Sequence, residues 1–212
     1  MRIVVFASII LSSLCGASAA LAQEEPESRV SYGMAVASDY MYEDQAYEVP
    51  GAVVNGYVSV DLGNGFSADG WAQYGEADES QEVDLTLSWT REVGDVTFTG
   101  TGGGYFYPTS DLETIYVMSA SAEIPMGPVA LELGVDRYSG GFDSTVYSAA
   151  VSGTVGMVDV FVGRAYNDPE DIAPWFARVS VPIGPEESGF RIGARGFWGA
   201  DEGVALELTK DF

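Results

Sequence analysis

Apolar and polar residues alternate along most of this chain, in stretches of about ten residues separated by turn residues. The cleanest stretch is EVDLTLSWT at 82–90, in which every second residue is apolar. The last ten residues, GVALELTKDF, repeat the pattern up to the final Phe212. Side chains of an extended strand point alternately to opposite faces, so these stretches predict β-strands with one apolar and one polar face.

Twelve such stretches lie between residues 29 and 212, and no helical period appears after residue 22. Short turns are predicted at 63–65, 92–95, 125–128, 156–157 and 184–188, and longer acidic connections at 43–50, 75–81, 108–113, 139–144, 167–173 and 199–203. An even number of strands with short turns opposite longer loops is typical of outer-membrane barrels. The predicted fold is therefore an all-β, transmembrane, antiparallel up-and-down barrel of about 12 strands over 29–212.

The first 22 residues predict a cleaved signal peptide. Arg2 precedes the apolar run VVFASIILSSL, and Ala20-Leu21-Ala22 forms an A-x-A cleavage site. The run is shorter than the ~20 apolar residues that a spanning helix needs. We expect export through the Sec pathway to the outer membrane of a Gram-negative bacterium, with residues 23–28 as a short periplasmic tail. Cys15, the one cysteine, leaves with the signal, which excludes disulfide and thiol chemistry in the mature chain.

The chain is strongly acidic. Nine Lys and Arg stand against 32 Asp and Glu, and loss of Arg2 with the signal leaves a net charge of about −24. Such a charge argues against nucleic acid as a partner. The hydrophobic fraction of 47% nevertheless predicts a folded chain. The expected partners are outer-membrane lipid and lipopolysaccharide, the outer-membrane assembly machinery, and small solutes or cations.

Aromatic residues on the apolar face concentrate near predicted strand ends. Those next to the longer connections are Tyr40, Tyr42, Tyr74, Phe106, Tyr116, Tyr147, Trp175 and Trp198. Those next to the short turns are Phe66, Trp89, Phe98, Phe190 and Phe212. Two such rings match the aromatic girdles that barrels place at both membrane interfaces. A soluble sandwich would instead place its aromatic side chains at mid-strand, in the core.

The terminal strand carries a further signal. Its alternation and final aromatic residue resemble the C-terminal assembly signal of bacterial outer-membrane proteins, so Phe212 is predicted to end the closing strand and to act in assembly. Lys210 occupies a position that is usually apolar or aromatic there. A lysine at the membrane interface can extend its ammonium group to water.

The order of motifs resembles the TorF (Gcw_chp) family of bacterial outer-membrane porins. The similar segments are ASDYMY at 37–42, PGAVVNGYVSVDLGNGFSADGWAQYG at 50–75 and VDLTLSWTREVGDVTFTGTGGGYFYP at 83–108. The family tends to follow its first motif with an Arg-Gly pair, where this chain has Glu43 and Asp44. The resemblance implies an outer-membrane barrel and a pore, and it supplies no catalytic residues.

Catalysis is not predicted. The absence of histidine excludes Ser-His-Asp hydrolase sites and histidine-based metal sites. Among so many acids, paired carboxylates are expected by chance. The acidic segment NDPEDI at 167–172 could hold a divalent cation through its oxygens, or could simply be solvated, and no EF-hand spacing is present. We therefore expect no enzyme activity, no cofactor and no identifiable metal ligands.

The polar faces of the predicted strands define the lumen. The residues predicted to line it are Asp69, Trp71, Gln73, Asp84, Tyr105, Tyr107, Glu123, Glu132, Arg178, Arg191, Arg195 and Glu207. These charges could form a selective constriction, or a salt-bridge network that fills a narrow barrel, since twelve strands lie between filled eight-stranded and open sixteen-stranded barrels. The predicted function is a passive, weakly cation-selective pore for small solutes. The alternative is a non-conducting barrel with a structural or surface-interaction role.

Overall fold

A computed structural model describes residues 29–42, 47–76, 81–185, 188–199 and 201–212. The predicted signal peptide at 1–22, the tail at 23–28 and the acidic loop residues Glu43, Asp44, Asp78 and Glu79 lie outside the described residues. The barrel is the compact unit Ser31–Phe212. Within the described ranges, no helix is both long and apolar enough to cross a membrane.

Twelve strands follow one another along the chain. They are β1 (Val30–Tyr42), β2 (Tyr47–Gly63), β3 (Phe66–Gly75), β4 (Glu82–Val93), β5 (Val96–Phe106), β6 (Ile115–Met126), β7 (Val129–Gly140), β8 (Ser144–Val155), β9 (Val158–Asp168), β10 (Trp175–Pro182), β11 (Phe190–Trp198) and β12 (Gly203–Asp211). Each strand neighbours the next in sequence, and β1 neighbours β12, so the sheet closes. The predicted twelve-stranded, antiparallel, all-β barrel is confirmed.

The connections define two ends of the barrel, called here the turn end and the loop end. The turn end carries the connections 64–65, 94–95, 127–128, 156–157 and 183–189, and the loop end carries 43–46, 76–81, 107–114, 141–143, 169–174 and 199–202. At the first hairpin, Asn64 (φ 56°) and Gly65 (φ 81°) both have positive φ. A two-residue type I′ turn requires this conformation, which asparagine and glycine tolerate best.

Several predicted connections differ by one or two residues at their ends, and one boundary differs by more. The connection predicted over 43–50 is shorter, because β2 begins at Tyr47 and so includes Glu48. Gly51, within this strand, has a φ of +125°, which residues with a side chain rarely adopt. Its amide donates a hydrogen bond of 3.1 Å to Asp39 Oδ1. Gly51 therefore lets a long strand bend where the sequence pattern indicated a break.

The two faces of the sheet differ as the alternation predicts. Outward-facing apolar side chains are exposed; Met118 and Val204, for example, are 74% and 69% accessible. Inward-facing side chains from strands that are not neighbours touch one another, as when Tyr57 on β2 donates a 3.0 Å hydrogen bond to Asp211 on β12. A continuous exposed apolar belt is costly in water and matches the hydrocarbon of a bilayer.

The aromatic rings are largely where the sequence predicts them. All five aromatic residues predicted near the turn end, and six of the loop-end set, are exposed. Tyr40 is a wrong prediction: its side chain is 3% accessible and lies inside the barrel, where its hydroxyl donates a hydrogen bond to Glu82. The side chain of Tyr42 lies outside the described residues.

The seam between β1 and β12 closes the barrel. Its register runs from Gly33 opposite Asp211 to Ala37 opposite Glu207. The amide of Phe212 donates a 3.0 Å hydrogen bond to the Tyr32 carbonyl, and the rings of these two residues stack with centroids 5.3 Å apart. The chain therefore ends on the closing strand, as predicted for Phe212.

Candidate functional site

The predicted lumen residues share the inward face. Trp71, Asp84 and Tyr105 lie side by side on three neighbouring strands, and Arg178 lies opposite Arg195. The remaining members that follow the same alternation are Asp69 and Gln73 on β3, Glu123 on β6, Glu132 on β7, Arg191 on β11 and Glu207 on β12. Tyr107 follows β5, and its hydroxyl donates a 3.1 Å hydrogen bond to Glu82.

Toward the turn end the inward face is polar. Ser67 donates a 3.1 Å hydrogen bond to Asp69, and Ser59 also bonds to this carboxylate. Hydroxyl pairs on β4 and β5 lie within hydrogen-bond distance, with Ser88 and Thr101 2.9 Å apart. Short hydroxyl side chains satisfy one another here without filling the barrel, so this half can hold water.

Glu123 and Glu132 lie directly opposite each other on β6 and β7, toward the turn end. Within the described part of the chain, neither carboxylate has a cationic partner. Two neighbouring acids on one face create a local negative potential that attracts cations. This pair is an uncompensated negative charge on the inward face that the sequence prediction had assigned to the lumen.

The three inward arginines are compensated instead. Arg191 forms an ion pair with Asp159 and donates a 3.2 Å hydrogen bond from Nε to the Ser180 hydroxyl. Arg195 Nε lies 3.8 Å from Glu207 Oε2. The guanidinium of Arg178 lies 5.4 Å from the centre of the Phe161 ring, within cation–π distance. The arginine cluster therefore combines paired charge with an aromatic surface.

Toward the loop end the inward face is tightly packed. One cluster of buried residues brings together side chains from β1 and from each of the seven strands β6 to β12. It consists of Met41, Val117, Tyr138, Val146, Ala150, Ala165, Phe176, Phe197 and Ala205. A second, smaller cluster contains Ala37, Tyr40 and Val53 and packs against Trp71. We call these two clusters together the apolar layer. It packs the loop-end half of the barrel with side chains of 0–6% accessibility.

A hydrogen-bonded group of three side chains, Glu82, Tyr40 and Tyr107, lies at the apolar layer. Glu82 has 0% accessibility and accepts hydrogen bonds from the hydroxyls of Tyr40 and Tyr107. Burial and the adjacent Glu82 carboxylate raise the pKa of Tyr107, so this hydroxyl keeps its proton and remains a donor. Since Tyr40, Glu82 and Tyr107 belong to three separate segments, the group ties them together inside the lumen.

A cavity of about 560 Å³ lies within the lumen, lined by residues of β1 to β4 and β7 to β12. Six predicted residues reach it, namely Trp71, Gln73, Asp84, Arg178, Arg195 and Glu207. Tyr105, Asp69, Glu123, Glu132 and Arg191 do not line it. The structure thus brings about half of the predicted set together in one chamber and distributes the others along the wall.

Several important inward residues were missed by the sequence analysis. Phe176 and Tyr138 share the alternation of Arg178 and Glu132, so periodicity alone could have placed them inside. Asp159, the partner of Arg191, could have been found in the same way. Tyr40 could not, because the strict alternation of β1 ends before it: Tyr40 and Met41 are adjacent in sequence and both buried inside.

The described loop acids form no identifiable metal site. Within the residues that the structure describes, no group of three or more Asp or Glu side chains is arranged to hold a metal ion. In the segment 167–172, Glu170 Oε2 accepts a 3.1 Å hydrogen bond from Ser144. Divalent cation binding by the acidic loops, which the sequence left open, therefore gains no named ligands.

Comparisons with known proteins address the fold. The sequence matches no family model, so the resemblance to the TorF family stays an interpretation of the motifs. No curated protein matches it in sequence. Among solved structures it is similar to the KdgM porin, with a TM-score of 0.66, 8% identity, and coverage of 86% of this chain and 98% of that chain. A second KdgM porin structure, in complex with disordered oligogalacturonate, has a TM-score of 0.63 at 7% identity and coverage of 86% and 97%.

Two further barrels extend the comparison. The NanC porin has a TM-score of 0.57 at 8% identity, with coverage of 84% of this chain and 97% of that chain. An outer membrane channel from Pseudomonas putida F1 has a TM-score of 0.51 at 11% identity, with coverage of 90% and 100%. At these identities the likeness establishes the fold. It is the fold of porin-like outer-membrane barrels, and among them the KdgM and NanC porins are similar over nearly their whole lengths.

Proposed function

We propose that this chain is an outer-membrane channel for small polar solutes. The observation that carries the proposal is the combination of an exposed apolar outer face with a lumen chamber of about 560 Å³, whose lining includes Arg178, Arg195 and Glu207 beside the apolar layer. The outer face suits a bilayer, and the chamber offers space for a polar solute. The likeness in fold to the KdgM porin, one structure of which contains oligogalacturonate, agrees with a solute-carrying lumen.

Location and assembly belong to the same proposal. Barrels of this kind span the bacterial outer membrane, so we infer Sec-dependent export with the signal at 1–22 removed, insertion by the outer-membrane assembly machinery, and contact with outer-membrane lipid and lipopolysaccharide. The loop end faces outward and the turn end faces the periplasm, as in other barrels with short periplasmic turns. No catalytic role is proposed, since the chain has no histidine and the family resemblance supplies no catalytic residues.

Weak cation selectivity is the finer part of the proposal. Arg191 and Arg195 are paired with carboxylates, whereas Glu123 and Glu132 have no cationic partner in the described part of the chain. Acids at the loop end, among them Asp111, Glu113 and Asp201, add a negative field at the mouth. Salt screens this field over ~10 Å at 0.1 M. The preference for cations is therefore expected to fade as salt rises.

Planar-bilayer recording of the purified mature protein tests both parts. We expect ion conductance, and a reversal potential in a KCl gradient whose sign indicates cation preference. Glu123→Gln/Glu132→Gln should weaken that preference, and neutral replacement of Arg178, Arg191 and Arg195 should strengthen it. Clear anion preference of the wild type would refute the selectivity argument without touching the channel.

The apolar layer favours one alternative, a non-conducting barrel with a structural or surface-interaction role. Its side chains, packed at 0–6% accessibility, could close the lumen completely. Absence of conductance from correctly folded wild-type protein would favour this alternative if Phe176→Ala/Phe197→Ala, which removes two rings from the layer, also fails to conduct.

A further inference from the structure

Two arginines face outward near the loop end, among side chains that are otherwise suited to lipid. Arg137 on β7 lies opposite the exposed Met118, and Arg164 on β9 lies opposite Trp175. Both alternate with buried inward residues, Tyr138 and Ala165 respectively, which fixes their outward direction. On β6 to β10 the remaining outward positions are apolar, small, aromatic or hydroxyl-bearing, except for the terminal Asp168 of β9.

The two arginines lie within the loop-end aromatic ring. Tyr147 on β8 lies between them and is paired with Tyr166 on β9. Arg137 is opposite position 145 of β8 and Arg164 is opposite position 149. Four residues along one strand and two strand spacings across place the two Cα atoms roughly 16 Å apart. Arginines and aromatic residues thus form one outward surface, which we call the basic rim.

A cation on this face needs an anionic partner or an aromatic ring. An arginine facing hydrocarbon is destabilising, and the cost falls toward the interface, where the guanidinium can reach polar headgroups. The Arg164 guanidinium lies 5.3 Å from the centre of the Trp175 ring, and this contact leaves its in-plane N–H donors directed away from the ring. Among the described residues, no carboxylate lies within ion-pair distance of Arg164.

Arg137 has a competing partner. Its Nη2 lies 3.2 Å from Asp143 Oδ1, and both side chains are well exposed, at 53% and 69%. An ion pair this exposed contributes little stability, so an incoming phosphate can displace the carboxylate. The guanidinium then presents a planar set of donors that suits phosphate oxygens.

We propose that the basic rim binds the phosphate groups of a phosphorylated glycolipid of the outer leaflet, the class that includes lipid A of lipopolysaccharide. The proposal rests on the outer-membrane location and orientation given above, but not on conduction. Arg137 and Arg164 contact phosphate, while Tyr147 and Trp175 lie against the sugar and the upper acyl chains.

Native mass spectrometry of the detergent-solubilised mature barrel tests the site, with diphosphorylated and fully dephosphorylated lipid A as probes. We expect preferential binding of the phosphorylated probe. Arg137→Gln/Arg164→Gln should weaken that binding roughly 10- to 30-fold. Two arginines are lost, and each typically contributes a several-fold gain in affinity for an anionic lipid surface. Arg137→Lys/Arg164→Lys should retain only part of the binding, because the charge stays while the planar set of donors is lost. Asp143→Asn should tighten it several-fold by releasing Arg137.

The matched control is Arg91→Gln, which removes an outward arginine of β4 near the turn end. It should leave lipid A binding unchanged, and heat-modified gel mobility shows that each variant is folded. Equal binding of both probes, or an equal loss in the Arg91 variant, would overturn the proposal. So would a dimer that dissociates in the Arg137/Arg164 variant without lipid, since the rim would then be a subunit contact. Conductance of the wild-type protein is recorded separately. A wild type that conducts but does not prefer the phosphorylated probe refutes the rim alone, and one that prefers this probe but does not conduct refutes the channel alone.

Discussion

Glu82 is a carboxylate without exposed surface, held between the hydroxyls of Tyr40 and Tyr107. Burial of a carboxylate is costly unless its oxygens accept hydrogen bonds. Here the donors come from β1 and from the segment after β5, while Glu82 begins β4. Because β1 is not a neighbour of β4, the bond from Tyr40 crosses the inside of the barrel. Glu82 therefore contributes to the packing of the loop-end half as well as to its charge.

Glu82→Leu is expected to destabilise the barrel, since it removes the acceptor of the buried Tyr40 hydroxyl and of the half-buried Tyr107 hydroxyl, at about 1–3 kcal/mol for a buried group. Glu82→Gln keeps an acceptor and should cost less. Urea unfolding from lipid vesicles, followed by tryptophan fluorescence, measures the free energy of unfolding. Removing both hydroxyls with Tyr40→Phe/Tyr107→Phe should recover much of the loss in the Leu variant. Glu123→Leu, at an exposed inward site, is the control, and an equal effect of both leucine variants would contradict this role of Glu82.

Tyr40 also shows what residue-level prediction lacks. Alternation counted from Val30 assigns the Tyr40 side chain to the outside. The alternation of β1 holds up to Ala37, where the described β1–β12 register ends. Beyond this point Ser38 Oγ accepts a 3.0 Å hydrogen bond from the Leu206 amide, and both Tyr40 and Met41 point inward. Nothing in the sequence SDYM marks such a break, because both its polar and its aromatic residues suit either face near a membrane interface.

Among the strands, β12 is the element that turns a sheet into a barrel. It pairs with both β11 and β1, and the Phe212 amide extends the seam by one more hydrogen bond to Tyr32. Lys210 faces outward at this end, with its ammonium group 4.6 Å from the Phe212 ring centre and 5.0 Å from that of Phe190. Its position, which departs from the usual terminal pattern, is thus accommodated by two aromatic rings and by a hydrogen bond to the Ser188 carbonyl.

Deletion of Phe212 should slow insertion into the outer membrane, with unfolded precursor accumulating in the periplasm. The deletion removes the terminal aromatic and its stacking on Tyr32, while the β1–β12 register from Gly33 to Ala37 remains possible. Pulse-chase labelling with heat-modified gel mobility separates folded from unfolded protein. Phe190→Ala, which removes another aromatic residue of the turn-end ring, is the control. Insertion of the deletion variant at the control rate would show that the terminal aromatic has no special part in assembly.

At the same scale, the strands themselves were readable from sequence. A period of two is a local property, and the apolar face matches lipid along the whole strand, so number, order and direction followed directly. Strand ends were less predictable. The start of β2 at Tyr47 depends on the bend at Gly51, whose glycine was compatible with a turn as well as with a strand.

For the whole molecule, the division of the lumen into two halves was beyond prediction. The sequence shows which residues face inward, but not which of them meet across the barrel, because that depends on strand tilt and stagger. Phe176 lies opposite Phe197 in the strand register, and its ring stacks on that of Phe161 with centroids 5.6 Å apart. It also belongs to the same buried cluster as Met41, which lies on β1, across the β1–β12 seam. Predicting charges alone therefore suggested a polar constriction, whereas the tightest packing is apolar and lies toward the loop end.

This packing makes the apolar layer the expected limit on ion flow, because a dry apolar constriction resists the entry of hydrated ions. Phe176→Ala/Phe197→Ala should raise single-channel conductance by roughly two- to fivefold through removal of two rings from the layer. Each truncation also costs about 3–5 kcal/mol if the space stays empty, so Phe176→Leu/Phe197→Leu provides a milder variant with a smaller expected increase. The matched control is Thr99→Ala/Thr101→Ala on the inward face of β5, which changes side-chain volume in the polar half and should leave conductance unchanged. An increase in the threonine variant alone would place the limit toward the turn end, and the apolar layer would then be a structural core rather than the barrier to flow.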